Sequence, residues 1–288
     1  VLFGPAIRLA DQGFRVSPRL HVALASDTRL RDTPNAAAFY YDAQGRPWPA
    51  GHVLKNPALA SVLRRLAAEG VDAFYRGPIA ADLVHRVRGH GTNPGVISEA
   101  DLSRYQAKTR AAICTDWKTA YRVCGFPPPS SGHLAVMQLL KLVDLAPPPA
   151  RTLADGVPAA EFLHVYTEAA RLAFADRAQF VGDPDFVSPP AGDWRRLLDD
   201  DYLRARARLI GERSMRTAAP GQPGAQTSVY APMAAQPEAG TSHLSIVDAQ
   251  GRAVAMTTTI ESVFGSRLLA DGGTGLPGGY LLNNELTD

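Results

Sequence analysis

The stretch TSHLSIVDAQGRAVAMTTT, residues 241–259, carries the clearest fold signal in this 288-residue chain. Apolar and polar residues alternate on both sides of a short DAQG connection, which is typical of two antiparallel strands joined by a tight turn. With the turn centred on Ala249 and Gln250, residues opposite one another have numbers that sum to about 499 or 500. The pattern therefore predicts a hairpin in which Thr259 lies opposite or next to Thr241.

A long segment of unusual composition precedes this hairpin. Residues 214–240 are rich in Ala, Pro, Gly, Gln and Ser and lack periodicity, which is typical of a functional or disordered loop. The segment ends at Gly240, directly before Thr241. A threonine hydroxyl becomes a competent nucleophile when a base lies beside it, and cutting the Gly240–Thr241 bond would free the α-amine of Thr241 as that base. The pattern alone fits two hypotheses, a self-cleaving nucleophile and an ordinary threonine at a strand edge.

The rest of the chain predicts mainly helices. An Asn cap, a proline in the first turn and a closing glycine bound a helix over residues 56–70. Two longer helices are predicted over 133–146 and 158–180, before and after a second loop. Ser98 and Asp101 have the spacing of a capping box, which marks another helix start. The chain is therefore expected to be helix-rich first and strand-rich last.

Composition limits the classes of function. The chain is 45% hydrophobic with a formal net charge of +2, and its arginines lie beside acids or at helical spacing, which argues against a nucleic-acid-binding surface. No apolar run approaches the ~18 residues of a membrane span. The chain begins without a methionine, and we expect it to be part of a longer protein. Cys114 and Cys124 lie on opposite arms of a predicted hairpin, and the sequence leaves open whether they form a disulfide bond.

Several long motifs together closely resemble the γ-glutamyltransferase family of N-terminal nucleophile hydrolases. In the family's order they are PPPSSG at 127–132, FADRAQFVGDPDF at 174–186, the hairpin with its continuation at 241–266, and LLNNELTD at 281–288. The resemblance implies an α+β fold, a four-layer αββα sandwich, and a precursor that cleaves itself between Gly240 and Thr241. Residues 1–240, with 214–240 as the linker, would belong to the large subunit, and residues 241–288 would begin the small catalytic subunit. The two parts would form one intertwined domain, truncated at both ends.

The resemblance also assigns roles to single residues. Thr241 would be the catalytic nucleophile, and Thr259 the second threonine, which hydrogen-bonds the amine and hydroxyl of the nucleophile. Glu261, Glu285 and Asp288 would hold the α-ammonium of the γ-glutamyl group, because a desolvated ammonium needs charged partners. Glu261 replaces the asparagine of other members, which leaves the substrate preference open. The family's oxyanion glycines and its arginine for the substrate's α-carboxylate would lie outside this chain.

The implied activity is γ-glutamyl transfer from, or hydrolysis of, glutathione and related donors, with water, an amino acid or a peptide as acceptor. The large and small subunits would form a heterodimer, without cofactor, metal or nucleic acid, in the periplasm or outside the cell. Two alternatives remain open: a related acylase acting on glutaryl or cephalosporin side chains, and a catalytically silent, uncleaved homologue. Ser130 and Ser131 lack a nucleophile elbow, and His243 follows a threonine whose own amine supplies the base, so all three are predicted to be structural.

Overall fold

The computed structural model describes residues 2–224 and 240–285, and it mixes helices with short strands. Its helices are α1 Gly4–Gln12, α2 Pro18–Ser26, α3 Pro34–Tyr40, α4 Pro57–Glu69, α5 Asp72–Tyr75, α6 Pro78–Arg88, α7 Glu99–Arg104, α8 Gly132–Leu145, α9 Ala160–Phe180 and α10 Asp200–Ala207. Short 3-10 helices lie at Leu30–Asp32, Pro190–Gly192 and Trp194–Leu198. Its strands are β1 Phe14–Arg15, β2 Val53–Leu54, β3 Ile113–Trp117, β4 Tyr121–Gly125, β5 Leu153–Ala154, β6 Val157–Pro158, β7 Ser242–Val247, β8 Ala253–Thr258, β9 Leu269–Ala270 and β10 Tyr280–Leu281. Each strand pairs antiparallel with its neighbour in the sequence, β1 with β2 and so on to β9 with β10.

The chain divides into two compact units, Val1–Ala107 with Gln236–Asp288, and Lys108–Ala235. The first unit thus brings the residues that follow Gly240 together with the N-terminal helices. The assignment of residues 1–240 to a large subunit and of 241–288 to a small one, within one intertwined domain, stays a prediction.

Caps predicted from the sequence bound two helices of the first unit. The Asn56 side chain accepts a hydrogen bond from a backbone amide in the first turn of α4 at 3.0 Å, and Gly70 ends that helix with a φ of 84°. Ser98 and Asp101 form the predicted capping box at the start of α7. Local polar contacts therefore fix where these helices begin, as the sequence indicates.

A buried core joins the N-terminal helices to the segment after the β7–β8 hairpin. Phe264 and Leu269 pack with residues from α2, α3, β2 and the segments beside these helices, namely Val16, Leu24, Leu30, Ala36, Phe39, Tyr41 and Leu54. Arg267 binds Asp27, just after α2, through Nη2 at 2.8 Å. Burial raises the pKa of Asp27, but hydrogen bonds from Arg267 and from two backbone amides more than offset this and hold the pKa below its usual value. Helix α2 is therefore fixed to residues 264–269.

The described part of the second unit contains α8, α9 and α10, two small hairpins and two short 3-10 helices. The three helices bury an apolar cluster made of Leu142, Ala146, Val165, Ala169, Leu172, Leu203, Ala207 and Ile210. In the β3–β4 hairpin Cys114 and Cys124 lie directly opposite one another and form a disulfide bond, which decides the alternative that the sequence leaves open. Both long helices, α8 and α9, begin and end close to their predicted limits.

Helix α9 carries two buried carboxylates that bind the segment following α10. Asp176, fully buried, accepts hydrogen bonds from four donors, which are Tyr202 Oη at 2.6 Å, the Gly221 amide at 2.8 Å, Arg206 Nη2 at 2.9 Å and Gln138 Nε2 at 3.1 Å. Glu168 accepts from the Met215 amide at 2.7 Å, Ser214 Oγ at 2.9 Å and Arg171 Nε at 3.1 Å. Two turns of one helix thus hold residues 214–221 by charge-assisted hydrogen bonds.

Strands β7 and β8 differ from the rest of the fold in their exposure. Every residue of both strands is exposed, including the apolar side chains of Ile246, Val254 and Met256. A two-stranded hairpin on its own is marginally stable in water, so this surface is of the kind that other layers of a protein cover.

Candidate active site at the end of the β7–β8 hairpin

The register of the hairpin brings the two predicted site threonines together. Ser242 pairs with Thr258, and the numbers of every pair from there to the turn sum to 500, which confirms the predicted register. Extended by one residue, the same register places Thr241 opposite Thr259. The turn is also the predicted one, because the Gly251 amide donates to the Asp248 carbonyl oxygen at 3.0 Å.

A chain of hydrogen bonds reaches the peptide bond before Thr241. The Thr259 hydroxyl donates to the Gly240 carbonyl oxygen at 3.2 Å, and the same hydroxyl oxygen accepts from the Glu261 amide at 2.8 Å. The resemblance predicts that Thr259 binds the amine and hydroxyl of Thr241. Because the Gly240–Thr241 bond is intact in this chain, that amine is still part of a peptide, and Thr259 contacts the preceding carbonyl instead. Gly240 has a φ of 136°, a backbone conformation that favours glycine.

An open cleft of about 450 Å³ surrounds this junction. Its lining includes Arg19, Gly240, Thr241, Thr259, Ile260 and Ser262. Arg19 comes from the first turn of α2, and the other residues come from the two ends of the hairpin. The cleft therefore places Thr241, Gly240 and the cationic side chain of Arg19 on one concave surface.

Two of the three predicted ammonium-binding acids, Glu261 and Glu285, lie in the described part of the chain. Glu261 accepts a hydrogen bond from the Asn284 side chain, whose Oδ1 in turn accepts from the Ser262 amide at 3.1 Å. Glu285 is the next residue along, and its amide donates to Asn283 Oδ1 at 3.0 Å. Both acids thus lie on segments that contact one another. The third, Asp288, lies outside the described residues.

Gly265 explains why these two segments lie so close. A Cβ atom built on Gly265 would lie 2.1 Å from the Leu282 carbonyl oxygen, and its φ of 51° is also in the left-handed region. The Ser266 amide donates to that same Leu282 oxygen at 2.9 Å. The backbone after the hairpin therefore packs directly against the LLNNELTD motif, and Asn284 is a site residue that only this contact reveals.

Ser131 and His243, two of the residues predicted to be structural, make ordinary polar contacts. Ser131 Oγ accepts from Arg177 Nε at 2.7 Å at the start of α8. His243 Nδ1 lies 2.8 Å from Thr257 Oγ1, across the hairpin. Within the described residues, no group of three His, Cys, Asp or Glu side chains is arranged to hold a metal ion. In the same part of the chain, no helix is long and apolar enough to cross a membrane.

Comparison with known proteins finds one matching family model and several relatives of this chain. The family model described as Gamma-glutamyltranspeptidase matches residues 1–288. A relative named glutathione hydrolase proenzyme, from Pseudomonas sp. (strain A14), is 33% identical over 289 residues, which cover 100% of this chain and 46% of the relative. A second relative, named acylase ACY 1 proenzyme, from Pseudomonas sp. (strain V22), is 31% identical over 283 residues, covering 97% of this chain and 46% of the relative.

A solved structure extends the similarity to three dimensions. The γ-glutamyltranspeptidase from Pseudomonas nitroreducens, complexed with L-DON, is similar to this chain with a TM-score of 0.63 and 30% sequence identity. The similarity covers 76% of this chain and 63% of that one. The chain spans about half the length of the curated relatives it matches. Since the family model matches from the first residue to the last, the chain belongs to the γ-glutamyltranspeptidase family.

Proposed function

We propose that the protein carrying this chain cleaves itself between Gly240 and Thr241 and then uses Thr241 to transfer or hydrolyse γ-glutamyl groups. The observation that carries the proposal is the bond from the Thr259 hydroxyl to the Gly240 carbonyl oxygen at 3.2 Å. It polarises the one peptide carbonyl that the Thr241 hydroxyl must attack. The glutathione hydrolase relative supports the same substrate class.

These contacts support the following route for self-cleavage. The Thr241 hydroxyl oxygen attacks the Gly240 carbonyl carbon, and negative charge develops on the Gly240 oxygen that Thr259 contacts. The Glu261 amide donates to the Thr259 oxygen, so the hydroxyl hydrogen of Thr259 is left to point at Gly240. The carbon–nitrogen bond then breaks, and the nitrogen of Thr241 leaves as a free amine after taking up the hydroxyl proton. Water hydrolyses the resulting ester, which gives a Gly240 carboxylate and restores the Thr241 hydroxyl.

Turnover would use the same hydroxyl with a different acyl group. The free α-amine of Thr241 accepts the hydroxyl proton as the oxygen attacks the γ-carbonyl carbon of the donor. The amine then passes this proton to the departing nitrogen, and the γ-glutamyl group remains on Thr241 as an ester. Water or the amine of an amino acid or peptide attacks the ester and releases the product. Space for the donor arises because Gly240 leaves the cleft after cleavage.

The donor's α-ammonium would be held by Glu261, Glu285 and Asp288. Glu261 supports this, since it directly follows Ile260 of the cleft lining and meets the segment that contains Glu285 through Asn284. A cationic amine that loses water on binding needs such acids nearby. Glutathione and similar γ-glutamyl compounds fit this arrangement, and simple acyl amides without an amine do not use it.

Processing is tested by expressing the full-length protein and following its chains on a denaturing gel. The wild type is expected to give two chains, the smaller beginning at Thr241 by N-terminal sequencing. Thr241→Ala should remain whole, and Thr241→Ser should still cleave, more slowly, because it keeps the hydroxyl. Thr257→Ala is the matched control, because Thr257 is a hairpin threonine that contacts His243 and lies outside the cleft lining. Cleavage of Thr241→Ala at the same bond would contradict the proposal.

Substrate class is tested with Glu261→Gln and two anilides. Gln has nearly the size of Glu and still accepts a hydrogen bond from Asn284, so the variant removes chiefly the charge. Loss of a charged hydrogen bond should raise KM for a γ-glutamyl anilide by about tenfold or more. A glutaryl anilide, which has no amine, should be nearly unaffected. An equal rise in KM for both anilides would show that Glu261 has a structural role and does not bind the amine.

The second candidate is an acylase for glutaryl or cephalosporin side chains, and the acylase ACY 1 relative favours it. Such an enzyme would share the Thr241 nucleophile without needing the three acids. Faster turnover of a glutaryl anilide than of a γ-glutamyl anilide by the wild type would select it. A single uncleaved chain and no turnover would select the silent homologue.

We also propose the four-layer αββα sandwich, a heterodimer of the two cleaved subunits, and a periplasmic or secreted location. The exposed apolar side chains of β7 and β8 support the sandwich, because a hairpin in its central sheets would be covered on both faces. The Cys114–Cys124 disulfide bond supports an oxidising compartment. Fractionation of the expressing cells would test the location: a cytosolic protein with both thiols free would contradict it.

A further inference from the structure

The cleft at the end of the β7–β8 hairpin carries a positive charge from Arg19. Among the described residues that line it, Arg19 alone is charged, and the remaining side chains are hydroxyls or apolar groups. Arg19 also makes no hydrogen bond or ion pair with any other residue of the described part, whereas Arg267 in the same unit is paired with Asp27. The cleft therefore offers an exposed guanidinium whose donors are available to a ligand.

The guanidinium faces the residue that cleavage removes. Arg19 Nη2 lies 4.0 Å from the position that a Cβ atom would take on Gly240, and no other described residue outside the immediate chain neighbours comes closer to that position. Gly240 precedes the scissile bond and carries the carbonyl that Thr259 contacts. Whatever acyl group replaces Gly240 on Thr241 consequently enters next to Arg19.

The backbone that carries Arg19 is held in place on both sides. The Ser17 side chain caps α2 by accepting from the Leu20 amide at 3.0 Å, and Leu24 is fully buried in the first unit's core. At the other end of the helix, Asp27 binds Arg267. Since Phe264 and Leu269 belong to the same core, α2 and the segment after the hairpin form one packed body, and Arg19 keeps its place beside the cleft.

We propose that Arg19 is a specificity-determining residue that binds a carboxylate of the γ-glutamyl donor in this cleft. The inference rests on the proposed function and adds to it a residue separate from the arginine expected outside this chain. A guanidinium binds a carboxylate through two parallel hydrogen bonds, which fixes orientation as well as charge. Glutathione carries a carboxylate on each side of its γ-amide bond: the α-carboxylate of the acyl group and the carboxylate of the departing peptide.

The test compares Arg19→Gln with wild type on three anilides, using the cleaved full-length protein. γ-Glutamyl-4-nitroanilide carries only the acyl-side carboxylate, 4-aminobutyryl-4-nitroanilide lacks it but keeps the amine, and γ-glutamyl-3-carboxy-4-nitroanilide adds one on the leaving group. If Arg19 binds the acyl side, KM should rise by about tenfold or more for both γ-glutamyl substrates and stay unchanged for the aminobutyryl one. If Arg19 binds the leaving group, KM should rise only for γ-glutamyl-3-carboxy-4-nitroanilide. In both cases kcat should change far less than KM.

Two further variants keep the result decisive. Arg29→Gln removes the same charge from an exposed arginine outside the cleft lining and should leave all three KM values unchanged. Arg19→Lys keeps the charge without the two-pronged geometry and should fall between wild type and Arg19→Gln. If Arg19→Gln and Arg19→Lys match wild type on every substrate while wild type turns over normally, the Arg19 inference is wrong and the proposed function stands. If wild type neither cleaves nor turns over, the proposed function fails and the inference falls with it.

Discussion

Replacing Asp176 with asparagine changes one oxygen of a buried carboxylate into an amide nitrogen that cannot accept a hydrogen bond. The carboxylate is fully buried and accepts from Tyr202, Gly221, Arg206 and Gln138 at 2.6–3.1 Å. Its ion-pair partner Arg206 is itself 5% exposed, so the variant leaves a guanidinium buried without its counter-charge. Breaking a buried pair in this way costs about 3–5 kcal/mol. That is a large share of the ~5–15 kcal/mol that stabilises a typical domain.

Urea unfolding followed by circular dichroism measures this loss. Burial raises the pKa of Asp176 and the charge of Arg206 opposes that rise, so the comparison is made at about pH 8 to favour the ionised carboxylate. Asp201→Asn is the matched control, because that carboxylate is 97% exposed beside Arg204, and an exposed ion pair contributes little to stability.

A double variant tests whether the cost comes from the unpaired charge. Asp176→Asn combined with Arg206→Met removes both charges, and its loss should be smaller than the sum of the two single losses. The reasoning would be refuted if Asp176→Asn lost no more stability than Asp201→Asn. If the stability loss of the double variant equalled the sum of the two single losses, only the claim that the two charges stabilise each other would be refuted.

Glu261→Asn should raise the free energy of unfolding by roughly 0.5–1 kcal/mol, because Glu261 has a φ of 66° and asparagine tolerates this conformation better. Glu261→Val should lower it, and equal melting temperatures for the three proteins would show that the backbone is not strained here. Burial raises the pKa of Glu168, but its hydrogen bonds to Met215, Ser214 and Arg171 outweigh burial, so the folded pKa lies below the usual 4.5. The stability from ionised Glu168 is therefore fully present above pH 4.5 and is lost as pH falls through the folded pKa. The urea midpoint of Glu168→Gln should lie below that of wild type at neutral pH and approach it in acid, and a gap that widens in acid would contradict this sign.

The features that the sequence predicts well are those fixed by nearby residues. The hairpin register depends on a turn whose residues are adjacent, and the caps at Asn56 and Ser98 depend on residues three positions away. The limits of α8 and α9 depend on prolines and turn residues at their ends. In each case one short stretch contains the whole cause, so its residue types are enough.

Other features depend on residues far apart in the chain. Arg19 reaches the cleft only because α2 packs against residues 264–269, and nothing in its local sequence marks it. Asp176 belongs to a motif that the sequence singles out, yet its partners lie between residues 138 and 221. The sequence alone does not distinguish a Cys114–Cys124 disulfide bond from two free thiols, because the answer depends on the β3–β4 register. Such contacts follow from packing, which residue patterns do not encode directly.

The turn at residues 248–251 limits which sequence changes the hairpin tolerates. None of its residues lines the cleft, and Thr241 lies seven residues before Asp248, roughly 23 Å along the strand. Yet adding or deleting one residue there would shift every pair of the hairpin and move Thr259 to the other face. For the cleavage proposed above, the length of this exposed turn is therefore a requirement in addition to the two threonines. Insertions are usually tolerated best at such surface turns, but in this turn a substitution keeps the register that pairs Thr241 with Thr259 and a one-residue insertion does not.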